Sequence, residues 1–406
     1  MIDHDRVAPS SRRLWSSVVA LAVAETVSWG VLYYAFGVLL PAIENDLAIG
    51  RTALTAVFSA ALLVSAFVAA PVGRWLDRRG ARPVMTIGAV VAPVLLLAWS
   101  RAGSLAEIAV VWLALGLTQA LVLYEPAFVA VTDWFADVGE RSRALLMITL
   151  MGGLASTIFL PLTGLLLAQH GWRTAVAVLA VIVAVVTIPV HATLPRSRLA
   201  VPRKNEIQGN PDDTNRGSAP GFTWLIAAFA LHGLVAGAMA VHAVPLITEA
   251  GRSPVRAAAM VGLFGVFQVA GRLMSATWWE RVPGGWRVGG LIAAQSVAMI
   301  ALGFARLDAA VWVFVVSFGA SNGMLTLARP LAVAEWRAGN FGAASGRVAA
   351  WSQGARAVSP LLASGLHAAT GGYLSVTIAL AGVGAAGVWA ARRAFRQREE
   401  PRAILA

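Results

Sequence analysis

The 406-residue sequence has no cysteine, a single lysine, and charged side chains at only 13% of its positions. Without thiols there is no disulfide framework and no thiolate metal site. The six histidines are scattered without H-x-x-x-H spacing, so no metal or other cofactor is expected. Nor is there a nucleotide-binding loop: the one lysine, Lys204, lies in a polar stretch, and no nucleophile and base are juxtaposed, so the chain does not read as an enzyme. Acidic residues are also few, 20 against 32 basic ones, which gives a net charge of +12. That balance invites a nucleic-acid reading until the positions of the basic residues are considered.

The sequence is instead 58% hydrophobic, with a mean hydropathy of +0.72. Twelve apolar runs are each long enough to cross a roughly 30 Å hydrocarbon layer. They lie near 15–42, 52–72, 83–100, 105–133, 144–169, 173–194, 222–248, 255–279, 287–305, 308–333, 343–369 and 372–391. Backbone polar groups in lipid must be satisfied within each segment, so these runs are expected to be helices in an all-α membrane protein. SRRLW at Ser11–Trp15 echoes a twin-arginine export signal, but the apolar stretch behind it is too long and contains Glu25, so a retained first span is expected. With both termini cytoplasmic, 23 of the 32 basic residues fall on that face and six on the other, leaving Arg272, Arg329 and Arg356 inside spans. Positive charge spread thinly along one membrane face removes the nucleic-acid reading.

Pro195–Pro220 is the one long polar gap, and it divides the chain into a six-span half at 1–194, a cytoplasmic linker at 195–221 and a second six-span half at 222–406. An offset of about 200 residues relates the halves. Pro41 maps on Pro245, Gly73-x-x-x-Asp77-Arg78 on Ala276-x-x-x-Glu280-Arg281, Asp133-Trp134 on Glu335-Trp336, and Pro161 on Pro360. Parallel six-helix halves of this kind hold a substrate site near mid-membrane.

Between spans 2 and 3 stands GRWLDRRGARP, Gly73 to Pro83. Its Gly-x-x-x-Asp-Arg-x-Gly-x-Arg pattern resembles the signature of the major facilitator superfamily, and the twelve-span layout extends the resemblance over essentially the whole chain. The resemblance implies the major facilitator fold, with spans 3, 6, 9 and 12 facing lipid and a monomer as the usual unit. It also implies that Asp77, supported by Arg78 and Arg82, latches the halves on the cytoplasmic side when the site faces outward. The start of span 11, near Phe341–Ser345, would offer unpaired N–H groups to that carboxylate.

Ionisable groups inside spans are costly and are expected to face the protein interior. Here they are Glu25, Glu125, His232, His242, Arg272, Arg329 and Arg356, whereas spans 3, 9 and 12 have none. Glu25, Trp29, Tyr33 and Phe36 recur at helical spacing, placing one carboxyl and three aromatics on one face of span 1. Such a face lines a cavity, or it buries a carboxyl hydrogen-bonded to a neighbouring helix. Glu25 with His232 is the expected proton-coupling pair, and His242 reads as structural. Glu125 and Arg329, each followed by proline at repeat-equivalent positions, are expected to act as a gate across the pseudo-axis, with substrate contact as the alternative. Arg272 and Arg356 keep their charge when desolvated and suit a small organic anion, with Trp29 and Tyr33 beside it.

Within the superfamily, Arg272 and Arg356 resemble by helix and depth the basic pair of monocarboxylate and oxalate-type porters. Ser28-Trp29-Gly30, Trp134-Phe135, Arg141 and Arg143 are similar to further features of that branch. The resemblance implies gradient-driven transport of a small anion by alternating access in a bacterial-type inner membrane, symport and antiport both being open. Glu25, however, lies four residues before Trp29 where the branch has an acid three before. The rival reading is a proton-coupled exporter of drugs or hydrophobic metabolites, with Glu25 and Glu125 as its proton sites. A reporter fused to the C-terminus tests the orientation: green fluorescent protein is expected to fluoresce there and alkaline phosphatase to stay inactive.

Overall fold

The computed structural model describes residues 11–135, 137–196, 220–278, 282–335 and 341–403. Every described element is helical. Ten stretches are long and apolar enough to cross a membrane. One of them, Gly139–Thr193, is two helices joined at Gly171, whose φ of 75° only glycine adopts without strain. With Phe341–Thr370 added, the helices among the described residues number twelve, numbered here in chain order. In the first half they are α1 (Ser11–Leu47), α2 (Arg51–Arg79), α3 (Ala81–Trp99), α4 (Leu105–Trp134), α5 (138–170) and α6 (172–193). In the second they are α7 (Pro220–Glu249), α8 (254–278), α9 (Gly284–Leu302), α10 (Asp308–Glu335), α11 (Phe341–Thr370) and α12 (Tyr373–Ala403).

The expected spans match these helices closely, and the pseudo-repeat is visible in the prolines. Pro41 and Pro245 lie inside α1 and α7, and Pro161 and Pro360 inside α5 and α11. Glu280, Arg281 and Trp336, the expected counterparts of Asp77, Arg78 and Trp134, lie outside the described residues, as does most of the linker. The core of the first half is aromatic: Phe36 stacks on Phe58 at 4.6 Å, and Trp112 meets Trp99 edge-on at 5.0 Å. Outward, Val185 of α6 is 67% exposed and Ile378 of α12 is 65% exposed. Such apolar exposure suits lipid and would be unfavourable in water.

The halves meet along α1 with α7, α2 with α11, and α5 with α8. Small residues bring the backbones together, as is usual where no hydrophobic drive separates helix from lipid. A Cβ on Gly37 of α1 would fall 3.0 Å from the Ala240 carbonyl oxygen of α7, and one on Gly262 of α8 3.0 Å from Pro161 of α5.

At the end of the bundle away from the termini, the halves are tied by polar contacts centred on Arg51. Its Nε donates to Glu44 of α1 at 2.8 Å, and its Nη1 donates across the interface to Glu249 of α7 at 2.6 Å and to the Tyr373 hydroxyl of α12 at 3.0 Å. His367 of α11 pairs with the other Glu249 oxygen at 3.2 Å. Behind this layer, His242 uses both ring nitrogens, on the Tyr373 hydroxyl and the Pro360 carbonyl, each at 2.9 Å. Thr55 of α2 donates to Ser364 of α11 at 2.8 Å. Because the chain has no cysteine, the double substitution Thr55→Cys with Ser364→Cys introduces the only thiols. Mild oxidation is expected to cross-link them, detected as a linked peptide after proteolysis; absence of the link would show that α2 and α11 do not close there.

Candidate functional site

The middle of α1 departs from α-helical geometry. From Gly30 to Tyr34 it widens into a π-turn, and the Ala35 amide donates to Gly30 O, five residues back. Two neighbours accommodate this. Gly30 lies against Phe159 of α5, where a Cβ would come within 2.7 Å of the Phe159 Cβ. Gln119 of α4 donates its Nε2 to the Leu32 carbonyl at 2.8 Å, supporting the backbone where the ladder is displaced. The extra residue rotates everything after it by about 100°. Of the four-residue face expected on this helix, Glu25, Trp29 and Tyr33 therefore remain on the site, whereas Phe36 is turned into the first-half core. Tyr34 faces the site in its stead, beside Gln268 and in electrostatic reach of Arg272 and Arg356 of the second half.

Arg356 sits at mid-length of α11. It is placed by α7, whose Gly233 and Gly237, four apart, let the two backbones touch. A Cβ on Gly237 would lie 2.9 Å from the Arg356 carbonyl carbon, and one on Gly233 3.2 Å from that of Ser352. The guanidinium is half-buried, and among the described residues no acid lies within 4.0 Å of it. Its Nε is buried without a hydrogen-bond partner. Tyr33, Tyr34, His232 and Arg329, a like charge, are its electrostatic neighbours, and the Tyr33 hydroxyl lies close without a hydrogen bond of regular geometry.

Arg272, expected to share an anion with Arg356, has different surroundings. It is 6% exposed; its Nη1 donates to the Thr149 carbonyl of α5 at 2.5 Å and its Nε to the Gly323 carbonyl of α10 at 3.4 Å. The helix of α5 is interrupted at Leu154, whose amide turns back to Met151 O at 2.9 Å. The segment ending there presents the negative end of its dipole to the guanidinium. Gly153 leaves room for this approach, since a Cβ would lie 3.1 Å from Arg272 Nη1. Arg272 thus bridges the halves through main-chain carbonyls.

Glu25 is fully buried and neither carboxyl oxygen has a hydrogen-bond partner. It neighbours Trp29 and lies within electrostatic reach of Tyr124. Trp29 packs on Tyr33 at 5.3 Å and on Tyr124 at 4.9 Å. Tyr124 follows a break in α4 at Leu123, explained by Pro126, which has no N–H to continue the ladder and is tolerated in the first turn of the new segment. His232 is buried with its Nδ1 2.9 Å from Gln295 Oε1 of α9. The structure does not bring it into hydrogen-bond contact with Glu25. Glu125 is exposed and Arg329 half-buried, with no ion pair within 4.0 Å between them in this conformation. Asp77 and Arg78 are exposed and Arg82 is half-buried at the termini end, well away from the Arg51 contacts.

The sequence assigned no site role to Tyr34, Tyr124, Gln119 or Gln268. The four-residue spacing of Gly233 and Gly237 was a visible sign of close helix contact; the π-turn had none beyond Gly30 and a polar Gln119 in an otherwise apolar span.

A twelve-helix membrane bundle in two pseudo-symmetric halves, with its polar groups gathered between them, has the architecture of a membrane transporter. The sequence profile of the Major Facilitator Superfamily matches residues 21–360, and the chain belongs to that family. No curated protein sequence matches it. Among solved structures, it is similar to a bacterial homologue of the human lysosomal transporter Spinster, in an inward-facing and unoccupied conformation, with 14% identity, 96% of each chain covered and a TM-score of 0.72. It is also similar to the nucleoside transporter NupG, with 13% identity over 94% of this chain and 99% of that one and a TM-score of 0.76. Likeness at these identities establishes the fold and not the substrate.

Gln119→Leu removes the donor to Leu32 O, so it is expected to cost about 0.5–1.5 kcal/mol, read as a lowered midpoint of denaturation in detergent. An unchanged midpoint would show that the π-turn does not need this contact.

Proposed function

We propose that this chain is a secondary active transporter of a small organic anion, monocarboxylate-like in its charge, working by alternating access in the cytoplasmic membrane with both termini inside. The observation that carries this reading is Arg356, a half-buried guanidinium at mid-helix with no acidic partner, turned toward the interface of the halves. A buried cation without a counter-charge is costly, and a carboxylate ligand relieves that cost. The Arg51 contacts, with the far side taken as the outside, make this a conformer closed outward. Glu125 with Arg329, and Asp77 with the start of α11, are then the contacts that form when the bundle closes on the cytoplasmic side. Arg272 serves this reading as a bridge between the halves more readily than as a second ligand. Glu25 is the better-placed proton carrier, because its oxygens are unengaged while His232 is already bonded to Gln295.

The exporter reading keeps one point in its favour, the unpaired Glu25 carboxyl beside Trp29 and Tyr124. Uptake of labelled lactate, pyruvate, oxalate and formate into proteoliposomes, with and without an inward proton gradient, separates the two. Saturable uptake is expected in wild type, with Arg356→Gln lowering it about 10- to 100-fold, as loss of a charge-assisted hydrogen bond predicts. If no acid is taken up and hydrophobic cations are, the exporter reading replaces this one.

A further inference from the structure

One guanidinium suffices to hold a carboxylate, but the site around Arg356 also concentrates aromatic side chains. The chain has four tyrosines, and three of them, Tyr33, Tyr34 and Tyr124, stand here with Trp29 and Phe128. Their rings form one continuous file. Tyr34 meets Tyr33 edge-on at 5.1 Å, Tyr33 meets Trp29 at 5.3 Å, Trp29 meets Tyr124 at 4.9 Å, and Tyr124 stacks on Phe128 at 5.3 Å, only 8° from parallel.

The file differs from the packing aromatics of the same half. Phe36, Phe58, Trp99 and Trp112 are fully buried, whereas Trp29, Tyr34, Tyr124 and Phe128 all keep partial exposure. Polar atoms along it are unspent as well. Trp29 Nε1, beside Glu25, and the Tyr33 hydroxyl, beside Arg356, are buried donors without a hydrogen bond of regular geometry, and the Ser28 hydroxyl is buried without a partner. The arrangement therefore combines flat π-faces along its length, buried donors, and guanidinium charge from Arg356, within electrostatic reach of Tyr33 and Tyr34, and from Arg272, within reach of Tyr34 and Tyr124. A two- or three-carbon acid would engage the cation and leave the rings unmatched.

Resting on the anion reading above, we propose that the substrate class is a planar aromatic or heteroaromatic carboxylate, held by its carboxylate at Arg356 and by its ring along Trp29 and Tyr124. Planarity is the discriminating property, because rings stack offset or edge-on against a flat partner and gain beyond simple area burial.

Thermal stabilisation of the full-length protein in nanodiscs, with counterflow in proteoliposomes, tests this with four probes: benzoate, indole-3-carboxylate, cyclohexanecarboxylate and lactate. Cyclohexanecarboxylate matches benzoate in size and charge but is not flat. The two aromatic acids are expected to act at concentrations about tenfold or more below the other two. Arg356→Gln should weaken binding of all four. Tyr124→Leu should weaken benzoate by at least about fivefold more than lactate, while Tyr124→Phe, which keeps the ring, should retain the aromatic preference and control for folding. Equal affinity for benzoate and cyclohexanecarboxylate, or a preference for lactate, overturns the aromatic class and leaves the anion reading standing. Failure of every acid, with hydrophobic cations stabilising the protein instead, overturns both.

Discussion

The cost of a charged or polar group withdrawn from water governs this bundle more than any other term. At the end away from the termini, the two arginines most withdrawn from water, Arg51 and Arg252, respond to it by pairing, and the exposed Arg173 and Arg256 pair as well. Arg51 is held by Glu44 and Glu249, Arg173 by Asp46, and Arg252 and Arg256 by the two oxygens of Asp308. These are structural cations, and their paired state explains how arginine is tolerated on the face that the positive-inside rule depletes. Mid-span, the same cost is left unpaid at Glu25 and Arg356. On the proposed reading, these unpaired groups are where a ligand or a proton completes the structure.

The paired end and the unpaired middle share helices. Glu44 and the Glu25–Trp29 face belong to α1, Glu249 and His232 to α7, and His367 and Arg356 to α11. Rigid helices packed through Gly37, Gly233 and Gly237 cannot separate at one end without tilting at the other. On the alternating-access reading, movement at Arg51 is thus transmitted to the site by geometry, with no chain of relaying side chains required. Arg272 adds a hinge-like constraint on the termini side of the middle, because its grip on the Thr149 carbonyl follows α5 where that helix is already interrupted.

Much of this was legible in the sequence, and the reason is the same penalty. Twelve spans, their order and the in-span charges follow from hydropathy because lipid permits few alternatives to a helix. The face of α1 was legible only as far as Tyr33, since a 3.6-residue period assumes an uninterrupted ladder and the π-turn adds a residue. Arg272 and Arg356 looked equivalent because sequence gives depth but not neighbours: both lie within electrostatic reach of Tyr34, but Arg272 also donates to the Thr149 and Gly323 carbonyls, whereas Arg356 makes no such contact to a main-chain carbonyl among the described residues. For a similar reason no periodicity could announce Gln295 of α9, to which His232 is bonded in place of Glu25.

The choice of arginine carries a further consequence. Lysine is absent from every span, and a guanidinium, unlike an ammonium, does not shed its proton to ease burial. The charge on Arg356 is therefore constant through any conformational cycle, and only an anion or an approaching acid can compensate it. On the proposed reading, a state sealed at both ends with the site empty encloses an uncompensated cation, whereas the loaded state encloses a neutral pair. Occlusion then favours the loaded carrier without any dedicated sensor. Glu25, whose charge can change where that of Arg356 cannot, is the group through which a proton can alter that balance.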